Sequence, residues 1–205
     1  MEMPSLNRSM APLQEYLLQG SILDKHRGPF LHRLNGLCDV VSEMPEKFHD
    51  HEMVYHLKGV GVQPMVFRVR RALDHPDSPW HVRYVGQPEI GDKTRQTLVR
   101  SYIDVGTSDN ISLFLTEMGF KQDHEYVAKG YIFRKGRMKI VVSKIYRMPH
   151  QGNTETLDVV SESHVVELSV LAPHGQDQVQ EDMKNFAEQL KPLIQLEKID
   201  HKRLQ

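Results

Sequence analysis

The chain is predicted to be mainly β (an α+β chain), with an antiparallel β-barrel of about eight strands flanked by about three helices. Three observations carry that expectation. Gly119 to Met148 reads as two long strands joined by a tight turn at Lys135-Gly136, rich in β-branched and aromatic residues such as Val127, Ile132, Ile140 and Val141. Shorter runs of the same kind lie at 53–58, 65–73, 80–85 and 163–171, separated by turns that contain Gly or Pro. Helical periods are few. So many antiparallel strands expose hydrogen-bonding edges unless the sheet closes on itself, which is why a barrel is expected.

Residues 1–12, with two prolines and small residues, read as a flexible tail, and 13–205 as a single barrel domain. Leu13 to Ile22 fits either a strand face or a helix. Phe30 to Val40 has a helical period through Leu31, Leu34, Leu37 and Cys38, with Gly28-Pro29 marking its start. Val40 to Asp50 reads as a polar connection, and Lys93 to Val105 as a further strand. Ser108 to Met118 is expected to be a short helix capped by Ser108 or Asp109, with a stripe of Ile111, Phe114, Leu115 and Met118 and a stop at Gly119. The polar stretch around 149–160 reads as a flexible loop. A last amphipathic helix runs from Asp177 to Lys191, with Asp177 and Gln180 resembling a capping box and Pro192 imposing a kink or restart.

Composition narrows the function classes. Hydrophobic residues make up 39% and charged residues 26%, with a formal net charge of -1 and a pI near 6.9. No global charge draws such a chain to DNA or an anionic membrane. Neither a signal-peptide core nor an apolar run long enough to cross a bilayer is evident in the sequence. Cys38 is the single cysteine and, inside an apolar helix pattern, reads as a structural thiol.

Few constellations could carry chemistry. In MVFRVRRAL, Met65, Phe67 and Val69 share one strand face while Arg68 and Arg70 share the other. Two arginines so spaced can form an anion-binding ladder inside a barrel, or can simply face solvent. Arg83 and Lys129 on neighbouring strands, with Lys139 and Arg147, add to the basic lining. His49, His51, Glu52 and His56 lack the spacing of a zinc helix motif, and no phosphate-loop, nucleotide-fold or nucleophile-elbow glycine pattern is present. Tyr126, Tyr131, Phe133 and Tyr146 among the cations could stack bases, yet the same alternation belongs to any half-buried strand.

The runs EYLLQGSILD, HRLNGLCD, DHEMVYHLKG, PWHVRYVGQPEIGDK, EMGFKQDHEYVAKGYIFRKGRMKI and DMKNFAEQLKPLIQLEKID resemble the animal Mediator subunit 18 family over nearly the whole chain beyond the first dozen residues. The resemblance implies a nuclear, non-enzymatic subunit of the Mediator head module. It further implies pairing with Mediator subunit 20, tethering by a helix of Mediator subunit 8, and an indirect link to RNA polymerase II. No cofactor, no catalytic or metal residue, no direct nucleic acid and no membrane are then expected. Tyr131, Phe133, Ile145 and Tyr146 are the expected partner-binding surface.

A second likeness is to triphosphate tunnel phosphohydrolases, through FRVRR, VAKGYIFRKGRMKIVV and VVELSV. Arg68, Arg70 and Lys129 match its basic positions, and with Arg83 of the neighbouring strand they form the expected anion-binding lining; a triphosphate-binding or -hydrolysing barrel is the alternative function this likeness implies. The acidic half of that pattern is poor. Glu52 stands without a second Glu on its strand, Ser143 occupies an expected Asp position, and Glu167-Leu-Ser169 keeps one of two glutamates. Metal-assisted hydrolysis needs several oxygen ligands, so the expectation is a retained anion lining without turnover.

Overall fold

A strand sends alternate side chains to opposite faces, and in this chain that alternation separates charge from hydrocarbon. The computed structural model describes residues 13–39, 45–59, 64–89, 95–176 and 178–199. Its strands are β1 (Leu13–Leu23), β2 (Glu46–Leu57), β3 (Met65–Ala72), β4 (Trp80–Val85), β5 (Leu98–Thr107), β6 (Lys121–Lys135), β7 (Met138–Arg147), β8 (Asp158–Val159) and β9 (Ser163–Pro173). The helices are α1 (Arg27–Leu37), entered through a 3-10 turn at Asp24–His26, then α2 (Ile111–Glu117) and α3 (Gln178–Gln189).

The sheet order is β6-β2-β3-β4-β5-β1-β9-β7, and β7 pairs back onto β6, so eight antiparallel strands close into a barrel. β8 is a two-residue addition to β7. The expected barrel is therefore the observed one, and Leu13–Leu23 resolves as a strand. Its partner β9 accounts for the choice, since Leu13 to Leu23 pairs residue by residue with Pro173 to Ser163.

Several boundaries differ from the expectation. β2 begins at Glu46, inside the segment read as a connection, because Glu46 to His49 pair with Ile132 to Lys129 on the long β6 strand. β5 runs Leu98–Thr107; the expected start at Lys93 lies outside the described residues. The hairpin loop is Gly136-Arg137 rather than Lys135-Gly136, since Lys135 pairs with Met138. Gly136 takes φ +56°, which suits the first loop position of a primed turn. Asp39, just after α1, clamps this tip: its Oδ2 accepts the Gly136 N–H at 2.6 Å and its other oxygen lies 3.5 Å from Lys135 Nζ.

Pro29 sits within the first turn of α1 rather than before it, where backbone N–H groups have no intrahelical partner. α3 ends at Gln189, ahead of Pro192, and Leu193, Ile194 and Leu196 continue along the core. Asp177 lies outside the described residues, so the capping box is not part of the description. The loop before β8 is tied down by Gly152 N–H donating to Glu125 Oε1 at 2.6 Å, and by Asn153 Oδ1 accepting two backbone N–H groups.

The main hydrophobic core lies outside the barrel wall. Tyr16, Leu18, Val142, Val166, Leu168 and Val170 face outward from β1, β7 and β9 and meet Phe30 and Leu34 of α1 with Val179, Met183, Phe186 and Leu190 around α3. A second cluster forms where Met53, Tyr55 and Val69 meet Ile111 and Leu115 of α2, with Phe120 beside them. The expected α2 stripe is half used: Ile111 and Leu115 are buried, while Phe114 and Met118 are 54% and 59% exposed. Asn110 is the N-cap and makes no side-chain cap bond; Ser108 Oγ donates to its Oδ1 instead.

β6 and β7 approach closely at Gly130. A Cβ there would lie 2.0 Å from the Val142 carbonyl oxygen, so any larger residue forces the backbones apart.

Candidate functional site: the polar barrel interior

With hydrocarbon directed outward, the opposite side chains enclose a cavity of about 460 Å³ within the barrel. Arg68 and Arg70 of β3 and Arg83 of β4 line it, joined by Lys139 and Ser143 of β7 and by Arg134 near the hairpin tip. Four carboxylates share the lining: Glu15, Asp50, Glu52 and Glu167. Lys129 has the other parity on β6. Its ammonium lies 5.4 Å from the Tyr146 ring centroid, and it is absent from the lining.

The carboxylates are individually engaged. Asp104 accepts Arg83 Nε at 3.2 Å and Nη2 at 2.9 Å, the Tyr102 hydroxyl at 2.9 Å, and lies 3.3 Å from His81 Nδ1. Glu15 accepts Arg100 Nε at 2.6 Å, Glu52 accepts the Tyr126 hydroxyl at 2.9 Å, and Glu167 accepts the Gln19 amide at 2.7 Å. Arg83 also stacks over Tyr102 at 5.1 Å. Burial pushes the Asp104 carboxyl up, but the Arg83 charge and its hydrogen bonds outweigh burial and hold it below the usual carboxylate range.

Asp50 shows the opposite balance. Its partner Arg70 is 3.7 Å away, and burial pushes the carboxyl up to about 6 against that attraction. Lys139 is pushed down by burial first, then by the Arg70, Arg83 and Arg134 charges. Burial drives the Tyr126 hydroxyl well above its ordinary value, with the Glu52 charge adding to it. Ser143 Oγ reaches the Val165 carbonyl at 3.5 Å.

Hydrolysis of a phosphoanhydride by a bound metal needs several oxygens converging on one point. Here the oxygens of Glu15, Glu52, Glu167 and Asp104 are turned toward separate neighbours, and no group of three or more His, Cys, Asp or Glu side chains is placed to hold a metal among the described residues. The arrangement is suited to cross-linking the barrel strands through charge.

The four aromatic and aliphatic side chains read as a partner surface divide. Phe133 is buried in the main core and Tyr131 packs against that core. Ile145 lines the cavity, and Tyr146 is half-buried beneath Lys129. Exposed apolar side chains lie elsewhere, on α2 (Leu113, Phe114 and Met118), at Val159 and Val160, and on the outer face of β5. Ile103 and Val105 are 54% and 50% exposed and stand directly across from Tyr84 and Val82. A strand read over 93–105 does not single them out until its two faces are separated. The alternation of Ile103 and Val105 with Tyr102 and Asp104 was the available signal.

Residues 14–205 match the family described as Med18 protein. The chain belongs to the Med18 family. It is 59% identical over 192 residues to mediator of RNA polymerase II transcription subunit 18 of Danio rerio, covering 94% of this chain and 91% of that one. The same-named protein of Drosophila melanogaster is 53% identical over 202 residues, covering 98% and 92%. Among solved structures, the Schizosaccharomyces pombe Mediator head module contains a chain that superposes with a TM-score of 0.73 at 14% identity, over 91% of this chain and 98% of that one. A candidate adenylate cyclase from Vibrio parahaemolyticus superposes with a TM-score of 0.57 at 14% identity, over 92% and 97%. At those identities the two structures share the barrel fold. The Med18 family is non-catalytic, in keeping with an interior whose carboxylates are engaged one by one.

Proposed function

We propose that this chain works as a nuclear scaffold subunit of the Mediator head module, pairing with subunit 20, held by a helix of subunit 8, and linked through them to RNA polymerase II. The observation that carries the reading is the near full-length match to subunit 18 proteins at 53–59% identity. Interior charges knit the barrel, which leaves its outer surface to meet partners. The Ile103 and Val105 face, with half-buried Val82 and Tyr84 beside it, is an apolar sheet surface. Such a face suits a folded partner such as subunit 20 better than a single helix, which fits a groove.

The test is co-expression with subunit 20 and the subunit 8 helix, followed by size-exclusion chromatography. The double variant Ile103→Asp with Val105→Asp is expected to lose subunit 20 while keeping the wild-type circular dichroism spectrum. Continued co-elution at equal stoichiometry would move the interface off this face. Failure of the wild-type chain to bind either partner would remove the scaffold reading itself.

A further inference from the structure

Residues 74–79 connect β3 to β4 on the outside of the barrel wall and are all exposed. Among the described residues their backbone is held by one hydrogen bond, from the Ser78 N–H to the His75 carbonyl at 3.0 Å. The Ser78 hydroxyl has no hydrogen-bond partner among them. Of the eleven prolines in the chain, Pro79 alone follows a serine or threonine. A kinase cleft takes its substrate as an extended strand, and one class of cleft offers no partner to a backbone N–H just after the acceptor. Proline has no N–H to lose there, and it biases the residue before it toward the extended form.

A cation waits beside this loop. β3 and β4 pair Arg70 with His81 and Val69 with Val82, so the same register sets Arg71 beside Trp80. The Arg71 guanidinium lies 5.4 Å over the Trp80 ring. Its buried Nε–H has no hydrogen-bond partner, and no carboxylate pairs with Arg71 among the described residues. Ser78 precedes Trp80 by two residues, and in an extended segment two such side chains leave the same face. Asp74 and Asp77 share the loop and repel any added anion, which leaves the guanidinium as its counter-charge.

We propose that Ser78 is a phosphoacceptor for a proline-directed protein kinase, and that Arg71 holds the resulting phosphate beside Trp80. In the transfer, Ser78 Oγ attacks the γ-phosphorus of ATP and the bond from that phosphorus to the bridging oxygen breaks. ADP leaves with that oxygen, and the hydroxyl proton passes to the kinase's carboxylate base. The phosphate brings nearly two negative charges at neutral pH and three acceptor oxygens, which suit the paired N–H donors of a guanidinium. Its effect is to tie a loosely held loop to the sheet at the end of the Trp80–Val82–Tyr84 row.

The test uses the full folded chain, ATP labelled at the γ-phosphate and a purified proline-directed kinase. Stoichiometric labelling mapped to Ser78 by mass spectrometry is expected for wild type, and its loss in Ser78→Ala and in Pro79→Ala. Phosphorus NMR then reads the second pKa of the protein-bound phosphate, ordinarily about 6. Arg71 favours the dianion, so the wild-type value should lie about one unit below that of phosphorylated Arg71→Met. Phosphorylation should also raise the melting temperature of wild type at neutral pH. A folded wild-type chain that stays unlabelled, or Ser78→Ala labelled as fully as wild type, overturns the acceptor assignment. Equal phosphate pKa values in wild type and Arg71→Met overturn the part given to Arg71, and so, without any variant, does a melting temperature lowered by phosphorylation.

Discussion

Replacing Asp50 with Asn should make this protein more stable near neutral pH, although it removes one half of an ion pair. Two effects compete at Asp50. At 3.7 Å from Arg70 the gross attraction is about 4 kcal/mol if the effective dielectric constant is about 20. Against it stands the burial of a carboxylate that is only 8% exposed, and burial wins, since the carboxyl is pushed from 3.8 up to about 6. The folded chain therefore holds this proton more tightly than the unfolded chain does. Stability falls as pH rises from about 4 to about 6 and is flat above that, the reverse of the behaviour of a salt-bridged Asp. The ionised form is disfavoured by about 3 kcal/mol relative to the protonated one, which for a chain of this size is about 6–12 °C in melting temperature as an upper bound. Asn stands in for the protonated form, so Asp50→Asn should recover much of that difference above pH 6 and none of it below pH 4. Urea unfolding of both proteins across this range measures it. A variant less stable than wild type near neutral pH, or a difference that does not change with pH, would refute the balance assigned to Asp50.

Asp104→Asn should act in the opposite sense: it leaves Arg83 facing an amide inside the wall and is expected to lose about 2–4 kcal/mol by chemical denaturation. Because the Asp104 carboxyl is held below its ordinary value, its contribution is present above pH 4 and fades as pH falls below that, which a wild-type and variant pH series would show. Gly130→Ala should destabilise by about 3 kcal/mol or more through overpacking against Val142; a loss under about 1 kcal/mol would mean that β6 and β7 part more easily than their pairing suggests. Leu168→Ala, at a fully buried position under α3, should cost about 2–5 kcal/mol in the same assay.

The barrel was legible because β6 and β7 carry long runs of β-branched and aromatic residues, and because so many strands without helices leave edges to close. Strand parity in MVFRVRRAL correctly separated Arg68 and Arg70 from Val69 and Phe67. The same parity applied to β6 places Lys129 with Val127, Tyr131 and Phe133, on the outward face. Its inclusion in the basic lining rests on its being a cation on a neighbouring strand and on family likeness, neither of which takes the strand's parity into account. That Phe133 is core rather than surface depends on α1 and α3 packing over β6, β7 and β9, and no local pattern reveals which strand faces a distant helix will cover. β2 began earlier than read because Glu46, Lys47 and His49 are polar; their strand state comes from pairing with β6, a long-range partner. Likewise, a period-3.6 stripe in α2 could not reveal that the barrel offers room for Ile111 and Leu115 alone.

An assembly subunit is held by its partners in the nucleus, and the most direct measurement is recovery of the tagged chain, at its natural level, from nuclear extract. Co-purification of subunits 8 and 20 in constant proportion, with the chain absent from monomer-sized fractions, is the predicted result. Recovery as a free monomer without Mediator subunits would contradict it.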